Sequence, residues 1–249
     1  MLNVTANAFF GVFVLALLAA GLWWVAQRPM FALKVIQVHG TEKNELRHVN
    51  ALTVRSAALP RIKGSFFTAN LESVRTAFEA VPWVRSAAVR REWPNRLIVT
   101  IEEHQPLGTW RDDGRLLSVK GDLFTANMAE AEEDRELLKF SGPDGSEKEV
   151  VAHYEDLRAG FARLNLMPQV VQLSDRYAWS ARMNNGMTVE FGRAQNLSIS
   201  ELMTRLLDIY PQLEARLGNR IESIDMRYPN GLALKASGMV FATEGKQKK

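Results

Sequence analysis

Residues 81–103 read VPWVRSAAVRREWPNRLIVTIEE, and this stretch decides the fold of the first half of the chain. Pro82 ends the helical pattern that precedes it, because proline has no backbone N–H to continue a helix. The β-branched, alternating runs at residues 84–93 and 96–103 predict two strands. Pro94-Asn95 between them is a tight-turn signal. The stretch therefore predicts a β-hairpin.

The residues upstream of this hairpin complete a small α+β unit. Residues 33–39 alternate and predict a strand that Gly40 ends. Residues 42–58 have helical spacing, with Thr41 as the expected N-cap, and Asn70 is the expected cap of a second helix. The predicted order is strand, helix, helix, strand, strand over about 70 residues, which is enough for a folded core.

The aromatic and basic residues of this unit are expected to be structural. Phe66, Phe67, Trp83 and Trp93 are predicted core residues, because large aromatic side chains usually bury their area inside a domain. Arg90-Arg91 is predicted to be a solvated strand face, with partner docking as the alternative.

Several short motifs of this unit occur in the order found in a known family. They are Gly64-Ser65-Phe66-Phe67, Leu71, residues 81–87, residues 89–94, residues 97–103 and Pro106. In this order the series resembles the POTRA domain of the FtsQ/DivIB cell-division proteins. The resemblance implies a β-α-α-β-β fold over residues 31–103. It also implies that the domain recruits other division proteins, partly through open sheet edges.

An uncharged apolar run lies ahead of this unit, at residues 8–26. A bilayer core needs about 20 apolar residues in a helix, so the run predicts a single transmembrane helix over residues 8–27. Trp23 and Trp24 fall where aromatic rings favour the headgroup level. A cleaved signal peptide is the alternative, but residues 1–7 contain no Lys or Arg. A retained anchor is therefore predicted.

The orientation of this anchor is indicated in two opposite ways. Arg28 and Lys34 follow the run, and the positive-inside rule alone would place the large domain in the cytoplasm. The family resemblance implies the reverse, with residues 1–7 cytoplasmic and the bulk of the chain periplasmic. It implies a single-pass protein of the cell inner membrane that acts at the division septum.

The second half of the chain predicts a sheet with flanking helices. Asp113-Gly114 and Gly121-Asp122 are turn signals between short strands, and residues 130–136 are predicted to be a solvated loop. Helices are predicted at residues 150–164 and 198–217, the second capped by Gly218. The predicted strands are residues 170–174, 177–183 and 187–191, followed by a terminal hairpin of residues 221–228 and 232–235. Asn184-Asn185-Gly186 and Pro229-Asn230-Gly231 are the hairpin turns.

This half also resembles the FtsQ/DivIB family. The residues that carry the likeness are Phe191-Gly192-Arg193, Leu206, Tyr210-Pro211 and residues 224–228. The resemblance implies a mostly antiparallel β domain over residues 104–237, and residues 238–249 are expected to form a disordered tail. The overall fold class is therefore predicted as α+β, with a transmembrane helix, a POTRA domain and a β domain.

The sequence contains no recognisable motif for catalysis or for binding a metal or cofactor. It contains no cysteine, which excludes disulfides and thiolate sites. Its four histidines are scattered without metal-ligand spacing, and no nucleophile elbow or phosphate loop occurs. A net charge of +3 is too small for a nucleic-acid interface. We therefore predict no catalytic, cofactor, metal or small-molecule site.

The family resemblance implies a scaffold that links early and late division proteins. It implies that the last strand accepts a strand of FtsB, which is itself paired with FtsL. The implied partner-binding residues are Arg176, Arg227, Tyr228, Asn230, Gly231, Leu232, Ala233 and Ala236. The arginines would meet partner carboxylates, and Tyr228 would be an anchor. From the residues alone, a core-edge Tyr228 and an unpaired surface Arg227 remain alternatives.

Two positions depart from the family pattern: Ala236 stands where an aromatic residue is common, and Pro229 where an acidic residue can occur. An alternative function is a POTRA-bearing secretion or outer-membrane assembly factor. That function would require many alternating segments of about ten residues, which the sequence does not supply.

Overall fold

The computed structural model describes residues 2–26, 33, 35–41, 46–134, 136–193, 198–228 and 231–238. The chain divides into two compact units, Met1–His104 and Gln105–Lys249. Each unit has its own sheet, so the two are described separately.

Helix α1 spans Leu2–Ala26 and opens the first unit. Its side chains are described at residues 9–21, 23 and 24, and all of them are exposed. Among the described residues, no helix is both long and apolar enough to cross a membrane. The expected span over residues 8–27 therefore stays a prediction.

The rest of the first unit has the expected β-α-α-β-β order. Its elements are β1 Val35–Gly40, α2 Ala51–Ala57, a 3-10 turn Leu59–Arg61, α3 Leu71–Glu79, β2 Val84–Glu92 and β3 Arg96–Glu103. The strands form one sheet in the order β1-β3-β2, with β1 parallel and β2 antiparallel to β3. The Asn70 side chain caps α3 as expected, accepting from two backbone N–H groups of its first turn.

The start of α2 differs from the prediction. Its N-cap is Asn50, and Thr41 instead donates its hydroxyl to the carbonyl of Ile101 at 3.1 Å. The carboxylate of Glu103 accepts the backbone N–H groups of residues 47–49 at 2.6–3.1 Å. These bonds satisfy three donors outside any helix, which explains why the helix begins later. Residues 42–45 lie outside the described residues.

Half of the aromatic residues expected in the first core are buried. Trp83 is 3% exposed and Phe66 is buried, but Phe67 is 50% exposed and Trp93 is 72% exposed, so the prediction was wrong for these two. Arg91 also does more than face solvent. Its guanidinium donates to the carbonyls of Phe66 and Ala69, both at 2.7 Å, and so fixes the loop that carries Phe67.

The second unit contains a nine-stranded sheet. Its strands are β4 Pro106–Trp110, β5 Arg115–Ser118, β6 Leu123–Phe124, β7 Leu138–Ser141, β8 Pro168–Leu173, β9 Trp179–Met183, β10 Thr188–Gly192, β11 Ile221–Asp225 and β12 Ala233–Ala236. The order across the sheet is β12-β11-β10-β9-β8-β7-β4-β5-β6. Five of the eight pairings are antiparallel, so the sheet is mostly antiparallel as predicted.

Three helices accompany this sheet. They are α4 Met128–Asp134, α5 Glu147–Ala162 and α6 Ile199–Leu217. The two long helices were predicted, and they bury Phe161 and Leu206 completely in one core with the sheet. The prediction of a loop at residues 130–136 was wrong for residues 130–134. These residues belong to a short helix, in which the side chain of Ala131 is buried. Residue 135 lies outside the described residues.

The strand pairs of both hairpins predicted for the second unit are present, and residues 229 and 230 of the second turn lie outside the described residues. Residues 184–186 connect β9 to β10, with the Gly186 N–H donating to the Met183 carbonyl at 2.9 Å. β11 and β12 pair antiparallel with Ile224 opposite Leu234. Gly218 ends α6 with a φ of +54°, as its C-cap role requires.

Candidate functional site at the sheet edge

β12 is the outermost strand of the nine-stranded sheet. Among the described residues it pairs on one side only, with β11. A strand bonded on one side leaves alternate N–H and C=O groups directed away from the sheet. These groups can bond to the backbone of another polypeptide, so the edge offers a site for strand addition.

The register brings most of the predicted contact residues to one end of the sheet. Ala233 lies opposite Asp225, and Asp225 lies beside Glu190 of β10. β10 ends at Gly192, opposite Trp179, and Arg176 is in the turn just before Trp179. β9 and β11 are separated by two strand spacings, or about 10 Å. Arg176 is exposed at this end.

Arg227 is positioned by an acidic neighbour. Its Nε donates to Asp225 Oδ1 at 2.9 Å, and its Nη2 donates to Asp225 Oδ2 at 2.6 Å. These bonds hold the pKa of the Asp225 carboxyl below its usual value. Two guanidinium nitrogens are thus already engaged inside the chain. Any partner carboxylate would therefore meet a cation held in place by Asp225.

Gly192 leaves the room that the Arg227 stem occupies. Its φ is +73°, and a Cβ built on it would lie 2.7 Å from Cγ of Arg227. A larger residue would be strained by this backbone conformation and would also displace the arginine. The sequence shows a glycine here, but it does not show which side chain the glycine accommodates.

Arg205 of α6 holds the segment that follows β11. Its Nη2 donates to the carbonyls of Tyr228 at 3.1 Å and Met226 at 3.4 Å. The backbone of Tyr228 is therefore fixed, while its side chain remains 53% exposed. Such an exposed aromatic on a fixed backbone suits an anchor for a partner. The sequence does indicate this role in one way, because Arg205 lies between two residues with buried side chains, Met203 and Leu206. We did not identify Arg205 from the sequence.

The strand β12 itself has small and polar outward side chains. Ala233 and Lys235 are exposed, and Lys235 Nζ lies 2.8 Å from Glu222 Oε2. Leu232 and Leu234 are half-buried against the core. Gly231 is exposed, with no atom within 4 Å of a Cβ built on it. Ala233 and Gly231 thus leave the approach to the edge unobstructed among the described residues.

Two of the predicted partner-binding residues, Ala236 and Asn230, are not part of this group. Ala236 is half-buried and pairs with Ile221, at the opposite end of β12 from Ala233. Asn230 and Pro229 lie outside the described residues. Arg176, Arg227, Tyr228, Gly231, Leu232 and Ala233 therefore form the cluster at one end, which we call the edge site.

The described residues hold no group of three or more His, Asp or Glu side chains that could bind a metal ion. What the edge site offers is backbone hydrogen bonding, one oriented cation and one exposed aromatic ring.

Comparisons with known proteins point to one family for both units. The family model described as "Cell division protein FtsQ/DivIB, C-terminal" matches residues 108–227. The model described as "POTRA domain, FtsQ-type" matches residues 32–104.

Curated relatives agree over nearly the whole chain. "Cell division protein FtsQ" of Burkholderia pseudomallei (strain K96243) is 49% identical, covering 98% of this chain and 95% of the relative. The protein of the same name from Bordetella pertussis is 39% identical over 94% of this chain and 90% of the relative. That of Nitrosospira multiformis is 32% identical over 95% of this chain and 97% of the relative.

Proposed function

The chain belongs to the FtsQ/DivIB family of cell-division proteins, and on that premise we propose that it is a non-enzymatic scaffold of the divisome. It links early and late division proteins and binds the FtsB/FtsL subcomplex. Binding occurs by addition of an FtsB strand to β12. The observation that carries this proposal is that, in the part of the chain that the structure describes, β12 pairs on one side only and lies beside an oriented arginine and an exposed tyrosine.

The backbone and the side chains of the edge site both contribute affinity in this mechanism. Each hydrogen bond that a partner strand completes contributes about 0.5–1.5 kcal/mol net, so the few bonds that the four residues of β12 can offer do not by themselves offset the cost of association, and side-chain contacts are also required. Arg227 adds charge attraction to a partner carboxylate, and Tyr228 adds apolar area. Arg176 offers a second cation about 10 Å along the same end of the sheet.

A pair of proline substitutions tests strand addition directly. Successive residues of an edge strand direct their N–H groups alternately inward and outward. Of Leu234→Pro and Lys235→Pro, one therefore breaks the β11–β12 ladder, and the other removes a donor from the open edge. We expect the outward position to weaken FtsB binding by about 1 kcal/mol or more while the unfolding midpoint stays near that of its alanine control.

Leu234→Ala and Lys235→Ala are the matched controls for the loss of each side chain. Binding is measured by titrating the full chain in detergent with the extracytoplasmic part of FtsB. If both prolines bind as their alanine controls do, strand addition at β12 is wrong.

The side chains of the edge site are tested by single substitutions. Arg227→Glu and Tyr228→Ala should each weaken FtsB binding by more than about 1 kcal/mol. Arg182→Glu is the control, because Arg182 is also exposed on this sheet but pairs with Thr188, away from the edge site. Equal titration curves for all three variants and the native chain would refute the assigned surface.

The remaining parts of the proposal concern the first unit. Helix α1 anchors the chain in the cell inner membrane as a single span, with the bulk of the chain in the periplasm. The exposed apolar side chains of α1 and the uncharged run at residues 8–26 support this.

The POTRA domain recruits other division proteins. A fluorescent fusion should form midcell rings; a diffuse envelope signal would instead favour a secretion or assembly factor, which the comparisons do not support.

A further inference from the structure

Two exposed aromatic side chains of the first unit lie near the β2–β3 turn. Trp93 is 72% exposed in that turn, and Phe67 is 50% exposed in the neighbouring loop. Arg91 joins the two segments by donating to the carbonyls of Phe66 and Ala69. We call residues 63–69 and 90–96 together the hairpin-tip surface.

The hairpin-tip surface is also basic. Its two segments contain Lys63, Arg90, Arg91 and Arg96, with Glu92 as the one acidic residue among them. Lys63, Arg90 and Arg96 are exposed, and Glu92 lies 3.8 Å from Arg96. Exposed aromatic rings among several cations are the combination that favours an anionic lipid surface.

The topology places this surface at the end of the sheet where the chain arrives from α1. β1 starts at Val35, and Val35 pairs with Arg96, the first residue after the β2–β3 turn. α1 ends at Ala26, so residues 27–34 connect the helix to this point. Fully extended, these residues span at most about 29 Å. They include Arg28 and Lys34 and no acidic residue.

We infer that the hairpin-tip surface docks on the anionic phospholipid headgroups around α1. This inference rests on the proposed membrane anchor. Trp93 and Phe67 enter the headgroup layer, where an amphipathic ring is more stable than in water. Lys63, Arg90 and Arg96 contact lipid phosphates. The docking holds the first unit against the bilayer and reduces the freedom that a short tether alone would leave.

The absence of cysteine makes this docking measurable at single positions. Asn95→Cys places a label in the β2–β3 turn and keeps Trp93 and all four cations. Ala80→Cys is the matched control, because Ala80 is exposed at the end of α3, next to the opposite end of β2. The nine residues of β2 separate the two positions by about 30 Å. Lys63→Cys is a second label position on the hairpin-tip surface.

The full chain, labelled with nitrobenzoxadiazole, is reconstituted into vesicles of phosphatidylethanolamine and phosphatidylglycerol that contain a headgroup spin-labelled lipid. We expect quenching at positions 95 and 63 to be at least about twice that at position 80, because only the hairpin tip reaches the headgroups. Replacing phosphatidylglycerol by phosphatidylcholine, or adding Trp93→Ala and Phe67→Ser, should reduce this difference.

Each failure has a distinct meaning. A chain that does not float with vesicles overturns the anchor and this inference together. A chain that floats, but is quenched equally at positions 95, 63 and 80, overturns the docking alone and leaves the anchor standing. If Trp93→Ala leaves the quenching unchanged but removes co-purifying membrane proteins, the surface binds protein and the inference is wrong.

Discussion

At the residue scale, the edge site depends on the residues that hold Arg227 in place. Asp225 orients its guanidinium, and Gly192 leaves room for its stem. A hydrogen-bonded arginine loses less side-chain freedom on binding than one that moves in solvent. The position of this cation is therefore a property of three residues on β10, β11 and the loop after β11.

Gly192→Ala should weaken both folding and partner binding. Gly186→Ala is the matched control, because Gly186 also has a positive φ, +84°, but nothing lies within 4 Å of its added Cβ. The control should lose about 1 kcal/mol of unfolding free energy from backbone strain alone. Gly192→Ala should lose more and should also weaken FtsB binding. The urea midpoint and the binding titration are measured, and equal effects of both variants would contradict the contact with Arg227.

Asp225 should make the second unit sensitive to acid. Because its pKa is lowered in the folded state, its ion pair with Arg227 stabilises the fold fully above the unfolded value of about 3.9. This stabilisation is lost as the pH falls through the folded pKa. The difference in melting temperature between the native chain and Asp225→Asn should be constant from pH 5 to 7 and should shrink below about pH 4. A difference that does not change with pH would exclude the assigned ion pair.

The family resemblance indicated the exposed members of the edge site but not the residues that support them. Arg227 and Tyr228 match family positions, whereas their local pattern alone left a surface arginine and a core-edge tyrosine as alternatives. Arg205 and Gly192 act through neighbours that are distant in sequence, so no local pattern identifies them. Trp93 and Phe67 were misassigned to the core, because hydrophobicity does not show whether a turn directs a ring inward.

At the scale of single elements, α6 carries Arg205 and so supports the edge site. Its first turn has a capping box in which Ser198 and Glu201 bond to each other's backbone N–H. The pKa of Glu201 is lowered by its bonds from Ser198. A well-capped helix holds its side chains in one register, which is what Arg205 needs to reach the Tyr228 carbonyl.

Ser198→Ala should lower the unfolding free energy of the second unit by about 1 kcal/mol, because it leaves a backbone N–H of the first turn without its cap. Ser200→Ala is the control, since Ser200 is exposed within the same helix and does not cap it. Both are compared by urea denaturation. If the two variants unfold at the same midpoint, the capping box contributes nothing measurable.

Elements with a strong local pattern were predictable, and those fixed by distant contacts were not. α5, α6 and the two hairpins of the second unit follow from helical spacing and turn residues. β7 was missed because its four residues form a strand only between β4 and β8. The late start of α2 depends on Glu103, more than fifty residues further along the chain.

At the scale of the whole molecule, two units each have a core of their own. We therefore expect that a destabilising substitution in one core leaves the function of the other unit unchanged. Phe78 and Phe161 are both completely buried, the first in the first unit and the second in the second unit. Each change to alanine should cost its own unit about 3–5 kcal/mol of unfolding free energy.

Only Phe161→Ala should reduce FtsB binding, because β12 belongs to the second unit. The two variants are compared by calorimetry and by titration of the full chain at one temperature. Loss of binding in Phe78→Ala, with the second thermal transition unchanged, would show that the first unit contributes to the edge site.

The order of strands across the nine-stranded sheet could not be predicted from the sequence. β4 pairs with β7 in parallel, and their approach is so close that a Cβ on Gly108 would collide with the carbonyl oxygen of Leu138. Nothing local to either strand indicates this partner. The presence of a sheet with covering helices was predictable, whereas the neighbour of each strand followed from three-dimensional packing.

The two ends of the nine-stranded sheet are unequal, and this limits how copies of this sheet can pair with one another. Growth into a fibre requires two edges that can each receive a neighbour. At the β6 end the strand is two residues long, too short to nucleate a lasting pairing. Through the edges of this sheet, copies can therefore join at β12 only as pairs. A partner strand bound at β12, as proposed, would block that pairing, so partner binding and self-association through this sheet would exclude each other.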